Sequence, residues 1–287
     1  MNQKPTDSSA AKADKMYQLK NNQLTVSILD PVANQNRFGI RYCTGGYIYQ
    51  ITDPIHGELL SGPTWPDSFN WFDGQGIPDA FNLSPLRAVN GSDSEVEVIG
   101  IGRCDLNEKR VLEFCQWDVQ QSDESSIGMT TRQQFAGFDF QLKRTVTLLQ
   151  RTVRSHTTMT NRSERFIPLT WFPHPFYPQP DTDELCRLSI PVSMSENEGY
   201  LLAENGFICR KTWPDQRGFY QALDQQAHGP LTITQRHPKL GLVSASCSYV
   251  PTFFPVWGNQ NTFSWEPFFE RLIAPQQTLS WRIDYDF

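Results

Sequence analysis

The 287-residue chain lacks the features that would assign it to several large classes of protein. Its 25 Lys and Arg are outnumbered by 31 Asp and Glu, which gives a formal net charge of −6, and no basic cluster offsets that balance. Nucleic acid is therefore not an expected partner. No apolar run approaches the length of a membrane span. The N-terminus shows no signal-peptide core, and residues 1–16 are polar enough to predict a disordered tail.

Closely spaced cysteines are also missing. The six cysteines stand at positions 43, 104, 115, 186, 209 and 247, without the tight pairs typical of a disulfide framework. We expect reduced, mostly buried thiols and a cytoplasmic location.

Sequence signals for a metal, a nucleotide or a nucleophilic residue are equally scarce. The five histidines and six cysteines show none of the short spacings used to bind zinc. Gly100 and Gly102 form a Gly-x-Gly, but they do not continue into a dinucleotide-binding motif, and no Gly-x-Ser-x-Gly elbow occurs. The sequence predicts no cofactor.

What the chain has is the composition and periodicity of β-strands. Its 19 Phe, 9 Tyr and 8 Trp accompany 20 Pro and 18 Gly, a mixture that favours many short strands joined by turns. Apolar and polar residues alternate with a period of two over 138–148, 243–249 and 278–287, and residues 152–160 are rich in strand formers. No long apolar stripe has helical spacing. We therefore predict one all-β domain over residues 17–287, built as a large antiparallel β-sandwich.

Two loop-like stretches concentrate aromatic residues among prolines and glycines. One spans 62–85 and contains Trp71; the other spans 171–180. Aromatic side chains held above a rigid sheet suit a binding surface, because a ring can stack on the C–H face of a sugar. The alternative is that these rings only cap the end of the core.

Two residues in aromatic surroundings are candidates for acid–base chemistry. His174 is the histidine that lies within the Pro-rich segment, and Glu266 is surrounded in sequence by Trp265, Pro267 and Phe268. Such neighbours would desolvate a carboxylate and raise its pKa, as a general base requires. The structural alternatives are a hydrogen bond from a buried His174 ring to a backbone carbonyl, and an ion pair of Glu266 with an arginine such as Arg271.

The segments around these two residues carry a family resemblance. A strand with Leu142-Lys-Arg-Thr-Val-Thr leads to Thr160-Asn161-Arg-Ser, and then to Trp171-Phe-Pro-His174-Pro-Phe-Tyr. Later come Phe254-Pro-Val-Trp257-Gly-Asn259 and Ser264-Trp-Glu266-Pro. In order and spacing these motifs resemble the aldose 1-epimerase (galactose mutarotase) family, including its hexose-6-phosphate branch. Near the N-terminus, Arg37-Phe38 and Gly45-Gly46-Tyr-Ile are similar to the family's opening strands.

The resemblance implies a β-supersandwich whose cleft binds a hexose or hexose phosphate and interconverts its α and β anomers. Glu266 would remove the proton from the C1 hydroxyl, and His174 would give one to the ring oxygen. We expect the carboxylate to favour an imidazolium at His174. The candidate sugar contacts are Trp257 and Asn259 in the later motif, Trp71 in the first aromatic stretch, Arg41 as a basic contact, and Asp224.

The sequence departs from the family pattern at two places. Residues 75–82 lack the histidine that the family often has there, and Gly218-Phe-Tyr220 occupies the place of a usual aspartate, for which Asp224 is a nearby substitute. An alternative function is therefore a carbohydrate-binding protein of the same fold without catalysis. If the sugar is phosphorylated, arginines 37, 41 and 87 are the candidates to bind its phosphate group. The sequence leaves both a monomer and a dimer open.

Overall fold

A computed structural model of the protein describes residues 15–37, 39–62, 75–92 and 94–287. These residues form one short 3-10 turn, Gln35–Arg37, and strands numbered here in chain order. The strands are β1 Met16–Lys20, β2 Thr25–Leu29, β3 Ile48–Asp53, β4 Gly57–Glu58, β5 Asp79–Ala80, β6 Leu86–Arg87, β7 Glu95–Val98, β8 Gly102–Asp105, β9 Arg110–Phe114, β10 Asp118–Asp123, β11 Ser126–Phe135, β12 Phe138–Leu149, β13 Thr152–Asn161, β14 Ile167–Pro173, β15 Tyr177–Pro178, β16 Glu184–Leu188, β17 Val192–Ser193, β18 Tyr200–Leu202, β19 Ile208–Arg210, β20 Phe219–Gln225, β21 Thr232–His237, β22 Gly241–Cys247, β23 Phe254–Gly258, β24 Thr262–Trp265, β25 Phe269–Ile273 and β26 Thr278–Asp286.

The strands pair antiparallel in one large sheet and several smaller ones. The large sheet has ten strands in the order β10-β11-β12-β13-β26-β22-β21-β16-β19-β18. The smaller sheets, as far as the described residues define them, are β1-β2-β3-β4, β6-β7-β8-β9, β25-β14-β5 and β15-β24-β23-β20-β17. The last two carry the candidate site.

The core lies between the ten-stranded sheet and the smaller sheets. Trp281 of β26 meets Trp171 of β14 with ring centroids 5.5 Å apart, and Tyr285 of β26 stacks on Trp265 of β24 at 6.1 Å. Aromatic pairs at such separations stabilise the folded state beyond the burial of their apolar surface. The fold is thus an all-β antiparallel sandwich, as the sequence predicted.

The strands predicted from alternation are confirmed. Residues 138–148, 152–160, 243–249 and 278–287 correspond to β12, β13, β22 and β26, with Ser248, Tyr249 and Phe287 falling beyond the ends of their strands. In β26 the even-numbered side chains face outward, and the odd-numbered ones from 281 to 285 are buried. The period of two therefore identified both the strand and its inner face.

The segment 171–180 is less loop-like than its prolines and aromatics predicted. Trp171 to Pro173 form the end of β14, and Tyr177 and Pro178 form β15. Trp171 and Tyr177 are buried in the main core, so for these two rings the core-capping alternative is correct. Pro168 and Pro173 are tolerated because β14 is short and changes partner along its length, from β25 to β5.

The two ends of the predicted domain can be compared with the structure only in part. Met16 pairs with Leu29, so the described fold begins one residue before the predicted boundary, and residues 1–14 lie outside the described residues. The six cysteines are free, and five of them are buried. The described part of the chain contains no helix of the length and apolarity that a membrane crossing requires.

Candidate active site

His174 lies where the chain passes from the three-stranded sheet to the five-stranded sheet, between β14 and β15. Its amide donates to the carbonyl of Pro78 at 2.9 Å, and the amide of Phe176 donates to the carbonyl of Gly76 at 2.7 Å. The intervening Pro175 has no N–H to satisfy, and it restricts His174 to extended backbone. The imidazole is therefore carried on a backbone that is fixed on both sides.

Glu266 follows β24 and is held in the same way. Its amide donates to the carbonyl of Pro255 at 3.0 Å, and the amide of Phe268 donates to the carbonyl of Phe253 at 2.9 Å. Pro267 lies between them and restricts Glu266 to extended backbone. Both candidate residues thus precede a proline and have their backbone tied to a neighbouring segment.

The fold brings the two side chains into contact although they are far apart in sequence. His174 Nε2 lies 3.2 Å from Glu266 Oε1, and both residues are almost fully buried, with 4 % and 6 % of their surface exposed. His174 Nδ1 lies 2.9 Å from the hydroxyl oxygen of Ser264. The His174 ring meets two side chains rather than a backbone carbonyl. Arg271 packs its guanidinium over Phe269, and the arginine whose charge acts on Glu266 is Arg41.

Burial governs the ionisation of this pair. It raises the pKa of Glu266 from 4.5 to about 7, against a smaller opposing effect of the Arg41 charge. Burial, reinforced by Arg41, also holds the pKa of His174 well below its usual value. The raised carboxyl pKa agrees with the aromatic neighbours of Glu266 in sequence. The lowered histidine pKa is the reverse of the expected imidazolium, since burial and the Arg41 charge both disfavour the cation.

Aromatic rings surround the imidazole. Phe176 stacks on it with centroids 4.4 Å apart, and Trp257 meets it edge-on at 6.0 Å. In the register of the five-stranded sheet, Tyr220 pairs with Trp257 and Trp257 pairs with Ser264. Side chains paired in this way share one face of a sheet, so Tyr220 and Trp257 lie on the face from which Ser264 reaches His174. Tyr220 is 58 % exposed, and its pKa is raised by partial burial and, to a smaller extent, by the charge of Glu266.

The architecture matches solved structures across nearly its whole length. A galactose mutarotase related enzyme from Lactobacillus acidophilus superposes with a TM-score of 0.62 at 12 % identity, covering 95 % of this chain and 97 % of the other. The fold is that of the galactose mutarotase-like proteins. A galactose mutarotase-like protein from Lactobacillus casei gives a TM-score of 0.57 at 12 % identity, with 95 % and 99 % covered. An aldose epimerase homologue from C. elegans gives 0.50 at 12 %, with 96 % and 98 % covered.

At the level of sequence, no family model and no curated protein matches the chain. The mutarotase-like likeness is therefore one of fold, which the motif order in the sequence had predicted.

The other predicted sugar contacts are scattered on this mutarotase-like fold. Arg41 is half-buried, close enough to influence both members of the pair, and lies over the ring of Tyr42 at 5.2 Å. Trp257 is half-buried beside His174. Asp224 is exposed and pairs in register with Ser193 of β17, four residues along β20 from Tyr220. Trp71 lies outside the described residues.

Asn259 occupies a turn rather than an open surface. It is 1 % exposed, and its side-chain carbonyl accepts the amides of Asn261 and Thr262 at 3.0 and 3.2 Å. Its side-chain amide donates to the carbonyl of Gln216 at 3.2 Å. These bonds hold the turn between β23 and β24, so Asn259 supports Trp257 and Ser264 through the backbone.

Residues 75–82, where the family often has a histidine, instead direct an acidic side chain into the interior. Asp79 forms a buried ion pair with Arg144 of β12, which also donates to Thr157 and, at 2.9 Å, to Ser155. Burial raises the pKa of Asp79 to about 6, although the Arg144 charge opposes this. The ion pair ties the segment that receives the His174 amide to the ten-stranded sheet.

Two residues of the site were not predicted from the sequence. Ser264 alternates with buried Phe263 and Trp265, and Tyr220 is one residue from Phe219; neither position stands out without strand register. Within the described ranges, no three His, Cys, Asp or Glu side chains cluster as a bound metal requires.

Proposed function

We propose that the protein is a mutarotase that interconverts the α and β anomers of a hexose or hexose phosphate by acid–base ring opening. The observation that supports this most directly is the 3.2 Å between His174 Nε2 and Glu266 Oε1. The two oxygens that exchange protons in anomerisation, O1 and the ring oxygen, are bonded to the same carbon. An acid and a base that serve both must therefore lie side by side, unlike the pair of separated carboxylates in a glycosidase.

The proposed reaction is balanced without an oxidant, a reductant or a second substrate. Glu266 takes the proton of the C1 hydroxyl, and the O–H electrons form the carbonyl C1=O1. The bond from C1 to the ring oxygen breaks, its electrons stay on that oxygen, and His174 supplies the proton there. Rotation about C1–C2 and the reverse steps on the other face of the aldehyde give the opposite anomer.

The side chains around the pair suit a sugar. Glu266 Oε1 faces His174 Nε2, and neither carboxyl oxygen accepts a hydrogen bond from a described residue, so the carboxylate is available to the substrate. Trp257 and Tyr220 provide aromatic surface on the same face of the sheet, and apolar C–H faces of pyranoses pack on such rings. Arg41 adds a positive charge suited to hydroxyl or phosphate oxygens.

The competing proposal is a carbohydrate-binding protein without catalysis. What favours it is the lowered pKa of the buried His174, since a histidine that resists protonation is seldom present as the imidazolium that would donate a proton. It also fits the positions of two aspartates, since Asp79 is buried in the interior and Asp224 is exposed to solvent.

Polarimetry on freshly dissolved α-glucose, α-galactose and glucose 6-phosphate separates the two proposals. We expect the protein to accelerate anomer exchange for at least one sugar, and His174→Asn and Glu266→Gln each to lower kcat by about 100-fold or more. The matched controls are His156→Asn on β13 and Glu270→Gln on β25, which lie away from the pair. Sugar affinity without acceleration would establish the binding protein instead.

A further inference from the structure

We infer that Ser264 fixes His174 as the neutral imidazole with its proton on Nε2, so that the ring oxygen receives its proton from a neutral imidazole rather than from an imidazolium. The inference rests on the proposed function and specifies the acid of that reaction. It follows from determining which atoms of Ser264, His174 and Glu266 carry a hydrogen and which offer a lone pair.

The hydroxyl of Ser264 has a single partner. The residue is fully buried, and its Oγ contacts His174 Nδ1 at 2.9 Å and no other polar atom of the described chain. A buried hydroxyl hydrogen without an acceptor costs free energy comparable to a lost hydrogen bond. Ser264 therefore donates to Nδ1, and Nδ1 must offer its lone pair.

The proton of the ring then lies on the other nitrogen. A neutral imidazole with a lone pair on Nδ1 carries its hydrogen on Nε2, and Nε2 is the atom that faces Glu266 Oε1 at 3.2 Å. The negative charge of an ionised Glu266 at this distance favours a hydrogen on the nitrogen that faces it. An imidazolium would instead need Nδ1–H to donate to Ser264 Oγ, which would leave the serine hydrogen without an acceptor.

Several charged and titratable groups face the pair, and Arg41 is the one whose charge acts on the ionisation of His174. Arg41, on the segment before β3, disfavours a second cation at His174. The rings of Tyr42 and His174 are in edge-on contact. Tyr220 on β20 is close enough to the pair for the charge of Glu266 to affect its pKa. Asp79, paired with Arg144, lies behind the backbone of Pro173.

A neutral imidazole is a suitable acid for this reaction because Glu266 can restore its proton. Once Nε2 has given its hydrogen to the ring oxygen, rotation of the Glu266 carboxyl group can bring the proton that it took from the C1 hydroxyl to the vacant lone pair of Nε2. The proton that leaves O1 is thereby balanced by the one that reaches the ring oxygen, and no proton from water is required.

The test is the protonation of the two ring nitrogens, read by 15N NMR of the sugar-free protein at about pH 7.5, above the usual histidine pKa. The His174 signals are assigned by their loss in His174→Asn. We expect Nδ1 to resonate as an unprotonated and Nε2 as a protonated nitrogen. Ser264→Ala should give a mixture of both tautomers, and Ser264→Thr, which retains the hydroxyl, should restore the Nε2–H form. A protonated Nδ1 in the wild type overturns the inference.

Kinetics supply a second readout with a matched control. Ser264→Ala should lower kcat by about tenfold, the equivalent of one hydrogen bond, and change KM by less than about twofold. Ser264→Thr should recover most of the loss. Thr262→Val also removes a buried hydroxyl of β24, one that donates to the Tyr177 carbonyl at 2.7 Å, and should leave the His174 spectrum and kcat unchanged.

The pH profile distinguishes the two forms of the acid. A neutral imidazole predicts that kcat/KM rises as Glu266 ionises near its pKa of about 7 and then stays level, whereas an imidazolium predicts a fall above the histidine pKa. The NMR result does not depend on turnover. An inactive protein with the Nε2–H tautomer would refute the proposed function and support this inference, and an active one with Nδ1–H would do the opposite.

Discussion

Replacing Glu266 by Gln should stabilise the protein at alkaline pH and leave its stability at acidic pH nearly unchanged. Burial raises the pKa of this carboxyl from 4.5 to about 7, so the folded state holds a proton that the unfolded chain releases more readily. The stability contributed by that proton is complete below pH 4.5, the unfolded value, and is lost as the pH rises to about 7. Above that range the fold carries an ionised carboxylate in a desolvated site.

The size of the effect follows from the shift. About 2.5 pKa units at 1.36 kcal/mol each give about 3 kcal/mol between the two ends of the range. The neutral amide of Gln carries no charge to desolvate, and it is close to the carboxyl group in size and shape. Glu266→Gln should therefore gain about 3 kcal/mol in unfolding free energy over the wild type at about pH 8.5, and very little at about pH 4.5.

Urea unfolding of both proteins at these two pH values measures the difference. Glu97, whose pKa burial also raises to about 7, and Asp79 titrate in the wild type and the variant alike, so they cancel. Glu270→Gln, on an exposed position of β25, serves as the control and should show no pH-dependent gain. Equal effects of Glu266→Gln at both pH values would refute the claim that desolvation of Glu266 sets its ionisation.

Three further predictions concern the frame and the walls of the site. Trp257→Ala should raise KM for the sugar up to about tenfold with a smaller change in kcat, because an aromatic contact contributes about 0.5–1.5 kcal/mol; initial rates against sugar concentration measure this. Gly76→Ala should lower the unfolding free energy by at least about 2 kcal/mol in urea, because Gly76 has φ +71 and a Cβ would collide with backbone carbonyls, whereas Gly229→Ala, with open space around it, should be neutral. Arg144→Met should cost about 3–5 kcal/mol at neutral pH by leaving Asp79 without its partner. Adding Asp79→Asn should recover part of that loss, and no recovery would contradict the ion-pair assignment.

The sequence predicted the elements whose surroundings are repetitive. Strand β26 could be predicted because one of its faces packs on the core along its whole length, so apolar and polar residues alternate in its sequence. His174 and Glu266 could be selected as candidate site residues because each has proline and aromatic neighbours in sequence. Their contact across 92 positions was suggested by family resemblance and not by local pattern.

The rest of the site depends on register, which alternation alone does not determine. Ser264 and Tyr220 gain their roles because β24, β23 and β20 align them with Trp257. Asn259 was expected to contact a sugar because its motif resembles the family's late strand, but the turn after β23 uses its amide oxygen for backbone N–H groups. His174 was expected to be protonated because of Glu266 alone, whereas burial and the Arg41 charge together lower its pKa and disfavour protonation.

The two prolines that follow His174 and Glu266 have a consequence for redesign. Each restricts the preceding residue to extended backbone even in the unfolded chain, and each candidate residue has its amide tied to a carbonyl outside its own segment. The geometry of both Cα–Cβ bonds is thus set by backbone alone and does not rely on the imidazole or the carboxylate. New functional groups introduced at positions 174 and 266 would inherit that geometry, so the fold offers a preorganised pair of attachment points for chemistry at a single carbon atom.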